Sequence, residues 1–162
     1  MIVLKVLFVC AGNICRSPMA HGIFDSLVRE AGMENDICVD SAGTHARLAG
    51  SPPDFYAQKV AANNNIDISH LRARRLTRDD IEESDLILVM DKDNYLYLEN
   101  GYGQTGERLK MLADYSPDPE IIEIDDPYGG GGSGFVRSYN LIQDCCVVLL
   151  GELQRYQQED VC

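Results

Sequence analysis

The sequence predicts an α/β fold, with one domain over residues 1–162 built on a central, four-stranded parallel twisted sheet covered by helices on both faces. Three observations indicate this class. The chain length and the 45% hydrophobic content suit one domain with one core. The apolar runs are short and nearly continuous, which is typical of strands buried on both faces of a parallel sheet. These runs alternate with segments of helical periodicity, as parallel strands joined by helices require.

Four apolar runs have the length of buried strands. They are residues 3–9, 36–42, 85–90 and 108–114. The chain shows no internal repeat and no linker, so all four runs are assigned to the same sheet.

Helical segments lie between and after the predicted strands. Ser17 followed by Pro18 is typical of a helix cap and first turn, and Gly32 indicates where this first helix stops. Thr77 and Asp80 have the spacing of a capping box. The other predicted helices are residues 53–65, 77–83, 94–100 and about 134–158.

The chain is strongly acidic, with a formal net charge of −12. Binding to nucleic acid is driven by neutralisation of phosphates, so we expect no nucleic acid partner. The one basic cluster, HLRARR at residues 70–75, is followed by the acidic stretch RDDIEESD at residues 78–85. We interpret this cluster as a source of neutralising contacts, with recruitment of an acidic partner as the alternative.

Six cysteines are spread too sparsely for the disulfide framework of a small secreted domain. We therefore expect reduced thiols and a cytoplasmic location. Zinc sites commonly use C-x-x-C pairs, which are absent, and we predict no metal site. No stretch approaches the roughly 20 apolar residues of a membrane span, and the N-terminal run contains Lys5, so we expect no membrane association.

The loop CAGNICRS, residues 10–17, follows the first predicted strand. Sheets of this class bind ligands at the carboxyl ends of their strands. The helix that follows directs free N–H groups and the positive end of its dipole into the loop, which favours a bound anion. The same field, together with Arg16, favours the thiolate of Cys10, which is the nucleophilic form.

The loop also has the residues needed to wrap around a phosphate. Gly12 and Asn13 tolerate left-handed backbone conformations and allow successive N–H groups to turn inward. The spacing of Cys10 and Arg16 lets the guanidinium hold two oxygens while the sulfur lies behind the phosphorus, ready for in-line attack. Neither a Walker A motif nor a dinucleotide fingerprint is present, and we predict no cofactor.

The stretch VLFVCAGNICRSPMA at residues 6–20 resembles the signature of the low-molecular-weight protein tyrosine phosphatases. The loop core N-I-C-R-S-P directly behind a strand makes this match specific. Further matches to the family are DSAGT at 40–44, ISH at 68–70, LVMD at 88–91 and DPY at 126–128. The resemblance therefore covers essentially the whole chain.

The resemblance implies a mechanism in which Cys10 attacks the phosphorus and forms a phosphocysteine. Arg16 and the loop hold the equatorial oxygens, and Asp126 protonates the leaving oxygen before it activates the water. From the residues alone Asp125 and Asp126 are equal candidates, and the position of Asp126 directly before Pro127 favours it within the family motif. The other predicted loop residues are Ala11, Gly12, Asn13, Ile14, Cys15 and Ser17.

The resemblance also assigns supporting residues. Ser17 has two interpretations, helix cap and hydrogen-bond donor to the thiolate, and the family favours the second. Asn13, Ser41 and His70 are similar to the polar network that holds the family's loop. The predicted substrate pocket, a cleft deep enough to select phosphotyrosine over phosphoserine, is formed by His45, Arg47, Leu48, Asp91 and Tyr128.

This sequence departs from the family pattern at the pocket. The segment after S-A-G-T lacks the frequent tryptophan, Gly129 replaces a second aromatic residue after D-P-Y, and Ala11 is smaller than the usual residue. We therefore expect a wider, less aromatic mouth. Gly-rich residues 129–134 are interpreted as a flexible hinge for the acid loop, or alternatively as a simple connector.

Family members with cysteines at the positions of Cys10 and Cys15 can form a reversible disulfide, and the alternative for Cys15 is a small buried filler. The same fold also serves other enzymes. Arsenate reductases of this type need two further cysteines in mid-chain, and none lies between Cys38 and Cys145. Arginine phosphatases tend to carry threonine where Ile14 stands, and phosphocysteine transfer domains of sugar uptake lack the loop arginine.

A non-catalytic phosphate-binding module is the alternative from a different class, and it would lack the nucleophile or the acid. The expected activity is hydrolysis of protein phosphotyrosine and aryl phosphates. The expected partner is a tyrosine-phosphorylated protein, and the expected state is a monomer or weak dimer.

Overall fold

The computed structural model describes residues 3–103 and 105–159. Its core is a sheet of four strands in the order β2-β1-β3-β4, and every neighbouring pair is parallel. The strands are β1 Leu4–Cys10, β2 Ile37–Gly43, β3 Leu86–Val89 and β4 Leu109–Met111. The predicted four-stranded parallel sheet is confirmed.

Helices cover both faces of the sheet. They are α1 Arg16–Glu30, α2 Phe55–Asn63, α3 Arg78–Glu83, α4 Lys92–Tyr102 and α5 Gly132–Glu159, with two short 3-10 helices at Gly106–Arg108 and Leu112–Tyr115. One face packs against α1, α2 and α5, and the other against α3 and α4.

Strand β1 lies in the middle of the sheet and serves both cores. Phe8 and Cys10 belong to the core under α1 and α5, while Leu7 and Val9 belong to the core under α3 and α4. This explains why the run is apolar at successive positions, since neither face of the strand is open to water. Pairing with β2 continues to the end of the strand, where Cys10 lies opposite Gly43.

The predicted cap of the first helix is wrong. Helix α1 begins at Arg16, with Cys15 at the cap position and no capping side chain, so Ser17 lies inside the first turn. The Ser17 hydroxyl is engaged by the Cys10 sulfur at 3.0 Å instead. The predicted capping box of α3 is confirmed, because Thr77 and Asp80 exchange side-chain to backbone hydrogen bonds.

Two further boundaries differ from the prediction. Strand β4 ends at Met111, because the Asp114 carboxylate accepts a hydrogen bond from the Met111 N–H at 3.1 Å and closes a 3-10 turn. The expected hinge at 129–134 is shorter than predicted, since α5 already begins at Gly132. Gly129 and Gly131, which precede the helix, have positive φ angles of 78° and 81°.

Arg74, from the basic cluster, makes the neutralising contacts expected from the sequence. Its guanidinium lies 2.9 Å from the carboxylates of both Asp40 and Asp80. Cys145 and Cys146 are buried free thiols, and burial raises the pKa of Cys145 to about 12. Within residues 3–103 and 105–159, no helix has the combined length and apolarity needed to cross a bilayer.

The core under α1 gives a prediction for stability. Phe24 is fully buried and packs edge-on against Phe8, with ring centroids 5.6 Å apart. We expect Phe24→Ala to lower the free energy of unfolding by about 3–5 kcal/mol, because it leaves a cavity in a packed core. Val147→Ala on the exposed side of α5 should change it by no more than about 0.5 kcal/mol. Urea denaturation measures both, and equal losses in the two variants would contradict the assignment.

Candidate active site

Three carbonyl groups in and next to the loop between β1 and α1 point away from its interior. Those of Cys10, Ala11 and Ile14 accept backbone hydrogen bonds of 2.8–2.9 Å from the N–H groups of Thr44, His45 and Asp54. In a trans peptide the C=O and the following N–H point in opposite directions. The N–H groups of Ala11, Gly12 and Cys15 therefore face the interior of the loop, where they form a concave surface of donors suited to an anion.

Gly43 at the end of β2 allows the loop to lie this close to the sheet. A Cβ atom at this position would lie 2.7 Å from the Ala11 carbonyl oxygen and 3.0 Å from the Asn13 nitrogen. Both are backbone atoms, so neither can move aside as a flexible side chain would. Only glycine fits here without displacing the loop.

Asn13 holds the loop at its sharpest point, where its backbone has a positive φ of 54°. Its buried side chain donates from Nδ2 to Ser17 Oγ at 2.8 Å and to Ser41 Oγ at 3.1 Å. Its Oδ1 accepts from the Arg74 N–H at 3.0 Å. These three bonds stabilise a conformation that costs free energy in residues other than glycine.

Cys10 lies at the bottom of the loop, and only 2% of its surface is exposed. Its sulfur lies 3.0 Å from Ser17 Oγ and accepts a hydrogen bond from the Asn13 N–H at 3.3 Å. Because Ser17 Oγ accepts from Asn13, its own hydrogen is available to the sulfur. The sulfur thus faces two hydrogen-bond donors, one from a side chain and one from the backbone.

Arg16 is as deeply buried as Cys10. Its Nη1 donates to Asp91 Oδ2 at 2.6 Å and to the Ile124 carbonyl at 2.8 Å. Burial lowers the pKa of Arg16, but the Cys10 thiolate and the Asp91 carboxylate outweigh burial and raise the pKa above its ordinary value. Its Nε–H is buried and has no hydrogen-bond partner within the described residues. The guanidinium is thus anchored through one nitrogen and keeps other N–H groups for a ligand.

Asp91, which the sequence predicts in the substrate pocket, is not among the residues that line the cavity above the loop. Both of its carboxylate oxygens are engaged, Oδ2 by Arg16 and Oδ1 by the Asn94 N–H at 2.8 Å, where Asp91 caps α4. Asp91 therefore lies behind the guanidinium and fixes its direction. The position of Asp91 at the end of a predicted strand indicates a carboxylate near the site. It does not indicate on which side of Arg16 that carboxylate lies.

A cavity of about 600 Å³ opens above the loop. It is lined by Cys10, Ala11, Gly12, Ile14, Cys15, Arg16, His45, Arg47, Leu48, Asp126 and Tyr128. The structure thus brings the predicted nucleophile, arginine, acid and most of the predicted pocket residues together. Asn13, Ser17 and Ser41 are buried beneath it.

Asp126 lies at the mouth of the cavity, with half of its side chain exposed and Oδ2 3.6 Å from Arg16 Nη2. Its other oxygen accepts the Tyr128 N–H at 3.1 Å. Asp125 is not among the residues that line the cavity. Its carbonyl accepts from Ser138 Oγ at 3.2 Å and ties this loop to α5.

The assignment of His70 to the polar network is not met in the structure. His70 lies exposed on the surface, and the ring that contacts Ser41 Oγ is that of His21, with Nδ1 at 3.0 Å. His21 follows Ser17 by four residues on α1, so both side chains are on one face of the helix. That spacing was the sequence signal available for His21.

Cys15 lies in the same cavity and is buried. Burial, followed by the Asp54 carboxylate and the Cys10 thiolate, raises the pKa of Cys15 well above its ordinary value. Of the two loop cysteines, Cys15 is therefore held as the neutral thiol.

Comparison with known proteins identifies the family. The model of the family "Low molecular weight phosphotyrosine protein phosphatase" matches residues 5–159. The chain belongs to this family. A member from Gallus gallus is 38% identical over 149 residues, which cover 90% of this chain and 93% of the relative.

Solved structures of the family share the fold. A protein tyrosine phosphatase from Entamoeba histolytica, crystallised with Hepes in its active site, has a TM-score of 0.90 and 30% identity, covering 95% of this chain and 99% of that one. The arginine phosphatase YwlE has a TM-score of 0.85 over 93% of this chain and 96% of that one. Its identity is 24%, so this similarity concerns the fold.

The contact at Gly43 gives a prediction for the loop. We expect Gly43→Ala to weaken binding of inorganic phosphate by about ten-fold, because the new methyl group displaces backbone donors that must converge on one anion. Isothermal titration calorimetry measures the affinity. Gly101→Ala is the control, since a Cβ there meets nothing within 4 Å. Unchanged phosphate affinity in Gly43→Ala would contradict this role.

Proposed function

We propose that the chain hydrolyses protein phosphotyrosine and small aryl phosphates through a phosphocysteine intermediate. The observation that carries the proposal is the buried Arg16 side chain, which lines the same cavity as Cys10 and whose Nε–H has no partner among residues 3–103 and 105–159. A buried donor without a partner is costly unless a ligand satisfies it. A phosphate bound by Arg16 Nε and the loop N–H groups satisfies it and places its phosphorus above the sulfur.

The first step transfers the phosphoryl group to the enzyme. Cys10 Sγ attacks the phosphorus, the S–P bond forms, and the bond to the leaving oxygen breaks. Arg16 and the inward N–H groups stabilise the charge on the three equatorial oxygens. Asp126 at the mouth donates a proton to the leaving phenolate, which departs toward solvent.

The second step regenerates the enzyme. Asp126, now a carboxylate, takes a proton from a water that attacks the phosphorus, and the S–P bond breaks to release inorganic phosphate. The Ser17 hydroxyl, 3.0 Å from the sulfur, stabilises the thiolate as it leaves. The same hydrogen bond therefore assists the nucleophile in the first step and the leaving group in the second.

The shape of the cavity supports phosphotyrosine as the substrate. The nucleophile is 2% exposed at the bottom, whereas Leu48 and Tyr128 are 51% and 62% exposed at the mouth. An aryl phosphate is long enough to span this depth with its ring between the apolar side chains. His45 adds a wall held by edge-on packing against Tyr97, with ring centroids 4.9 Å apart.

Hydrolysis of protein phosphoarginine is the second candidate, because the arginine phosphatase YwlE shares this fold. The residue type at position 14 favours phosphotyrosine. Ile14 lines the cavity with an apolar side chain, where arginine phosphatases tend to carry a threonine. An arsenate-reductase-like activity is disfavoured because its two additional mid-chain cysteines are absent.

The remaining expectations are part of the same proposal. Residues 1–162 act as a single domain on a tyrosine-phosphorylated protein in the cytoplasm, as a monomer or weak dimer. Cys15 lines the same cavity as Cys10 and forms a reversible disulfide with it under oxidation, which protects the nucleophile. The oxidant, a peroxide, accepts two electrons from the Cys10 thiolate and the Cys15 thiol and is reduced to water, the S–S bond forms, and the single thiol proton of Cys15 leaves to solvent.

Substitutions in the catalytic residues test the mechanism. We expect Cys10→Ser to abolish hydrolysis of p-nitrophenyl phosphate and Asp126→Ala to lower kcat by about 10²–10³-fold, because proton transfer to the leaving oxygen is lost. Asp125→Ala is the matched control and should stay close to the original rate. Steady-state kinetics measures all three. Turnover that survives Cys10→Ser, or equal losses in the two aspartate variants, would refute the assignment.

The substrate class is tested with peptides of one sequence that carry different phosphorylated residues. We expect kcat/KM for phosphotyrosine to exceed that for phosphoserine by at least about 100-fold, because the shorter side chain cannot bring its phosphorus to Cys10. Release of inorganic phosphate is the readout. A phosphoarginine peptide that is hydrolysed faster than the phosphotyrosine peptide would favour the second candidate.

A further inference from the structure

His21 joins the polar network beneath the active-site loop, and nothing in the proposed mechanism uses it. Its ring is partly buried between α1 and β2, with Nδ1 3.0 Å from Ser41 Oγ. Ser41 in turn accepts from Asn13, and Asn13 donates to Ser17, whose hydroxyl contacts the Cys10 sulfur. A continuous chain of side-chain hydrogen bonds therefore runs from His21 to the nucleophile.

The direction of each bond in this chain is fixed by one backbone group. The Arg74 N–H can only donate, so the Asn13 side-chain atom 3.0 Å from it is the carbonyl oxygen. The Asn13 amide nitrogen must then be the atom that faces Ser17 and Ser41, and it donates to both. Each serine oxygen is thus an acceptor toward Asn13, and each hydroxyl hydrogen points away from it.

The two serine hydrogens have different acceptors. That of Ser17 goes to the Cys10 sulfur. Ser41 Oγ lies 3.0 Å from Nδ1 of His21, and donation of the Ser41 hydrogen to this nitrogen gives both buried hydroxyl hydrogens an acceptor. In this arrangement Nδ1 carries no proton, and His21 is the neutral tautomer with its hydrogen on Nε2.

We propose that His21 is a positioning residue for the Cys10 thiolate, and that its neutral imidazole is the terminal acceptor that fixes the Ser41–Asn13–Ser17 relay. A protonated His21 would donate from Nδ1 to Ser41, whose hydroxyl hydrogen would then lose its acceptor in a buried position. A buried hydroxyl hydrogen without an acceptor costs free energy. The Ser41 hydroxyl would turn toward a new acceptor, which weakens the hydrogen bond from Asn13 to Ser41 Oγ. That bond helps to hold the loop at Asn13, its left-handed residue.

The surroundings of His21 set when this protonation occurs. Burial lowers the pKa of His21 and outweighs the carboxylates of Asp40 and Asp25, which oppose it. The charged and titratable groups that face its cleft or act on it are Asp25 and Arg29 from α1, Asp40 from β2, and Asp67, His70 and Arg74 from the segment before α3. Because the folded state binds this proton less readily than the unfolded chain, the relay is intact at neutral pH and fails only as pH falls through the folded-state pKa of His21, which lies below the ordinary value of about 6.5.

Two nearly isosteric substitutions of His21 separate the effect of its acceptor atom from the effect of its shape. Asparagine at position 21 places an acceptor oxygen where Nδ1 lies and does not titrate, whereas leucine has the same shape and no acceptor. The readout is the rate at which iodoacetamide alkylates Cys10, followed by peptide mass spectrometry. Exposed Cys38 serves as an internal reference in the same molecule.

At pH 7.5 we expect His21→Leu to slow alkylation of Cys10 relative to Cys38 by about five-fold, as loss of one hydrogen bond in the relay implies. His21→Asn should restore the original rate. As pH falls, we expect the Cys10 rate of the unsubstituted protein, divided by the Cys10 rate of His21→Asn at the same pH, to drop with the midpoint at which the His21 ring titrates by NMR. The Cys10 rate of His70→Asn, which alters the exposed neighbouring histidine, should show the same drop against His21→Asn.

Equal relative rates in the Asn and Leu variants, or a ratio of the unsubstituted protein to His21→Asn that stays constant with pH, would overturn the proposal. Circular dichroism establishes that each variant is folded, and if His21→Leu does not fold, the pH profiles of the other proteins decide. The consequence for turnover rests on the proposed function, but alkylation requires no hydrolysis. A chain that fails to hydrolyse aryl phosphates and still shows this pattern would refute the proposed function alone.

Discussion

The active site depends on the side chain of Asn13. Asn13 takes a left-handed backbone conformation that carries a free-energy cost, and three hydrogen bonds of its side chain offset that cost. The turn at this residue brings its own N–H to the Cys10 sulfur and lets neighbouring N–H groups face inward. Without the amide group in this place, neither the anion-binding surface nor the orientation of the Ser17 hydroxyl would be defined.

Backbone hydrogen bonds from strand β2 and the residues after it hold this loop in place. Parallel pairing between β1 and β2 continues to Cys10 and Gly43, and backbone bonds from Thr44 and His45 extend it into the loop. Cys10, the proposed nucleophile, is therefore the last residue of strand β1 and not part of a free loop. Preorganisation of this kind spares the reaction the cost of ordering its donors at the moment of catalysis.

The sequence predicts the sheet, the order of the helices and the phosphate-binding loop, because these follow from apolar periodicity and from a dense local motif. It does not predict contacts between groups that are distant along the chain. From the sequence, Ser17 resembles a helix cap, but in the structure its hydroxyl contacts the Cys10 sulfur. Asp91 resembles a pocket wall, but in the structure it binds Arg16, and Arg16 is the residue that faces the cavity. For the network histidine, the family pattern pointed to His70, whereas the face that α1 turns toward β2 places His21 there.

The short glycine segment before α5 has an energetic consequence for the segment of Asp126, the proposed acid. Gly132 and Gly134 occupy the first turn of the helix, where glycine is less favourable than alanine. From Phe135 to Leu150 the helix is fixed by buried side chains, and Ser138 holds the Asp125 carbonyl. The first turn therefore costs less to unwind than this buried part of α5. Local unfolding of the turn would free residues 129–134 without loosening the core, while Asp125 stays tied to α5, so the segment that follows Asp126 and the loop of residues 10–17 belong to regions of different local stability.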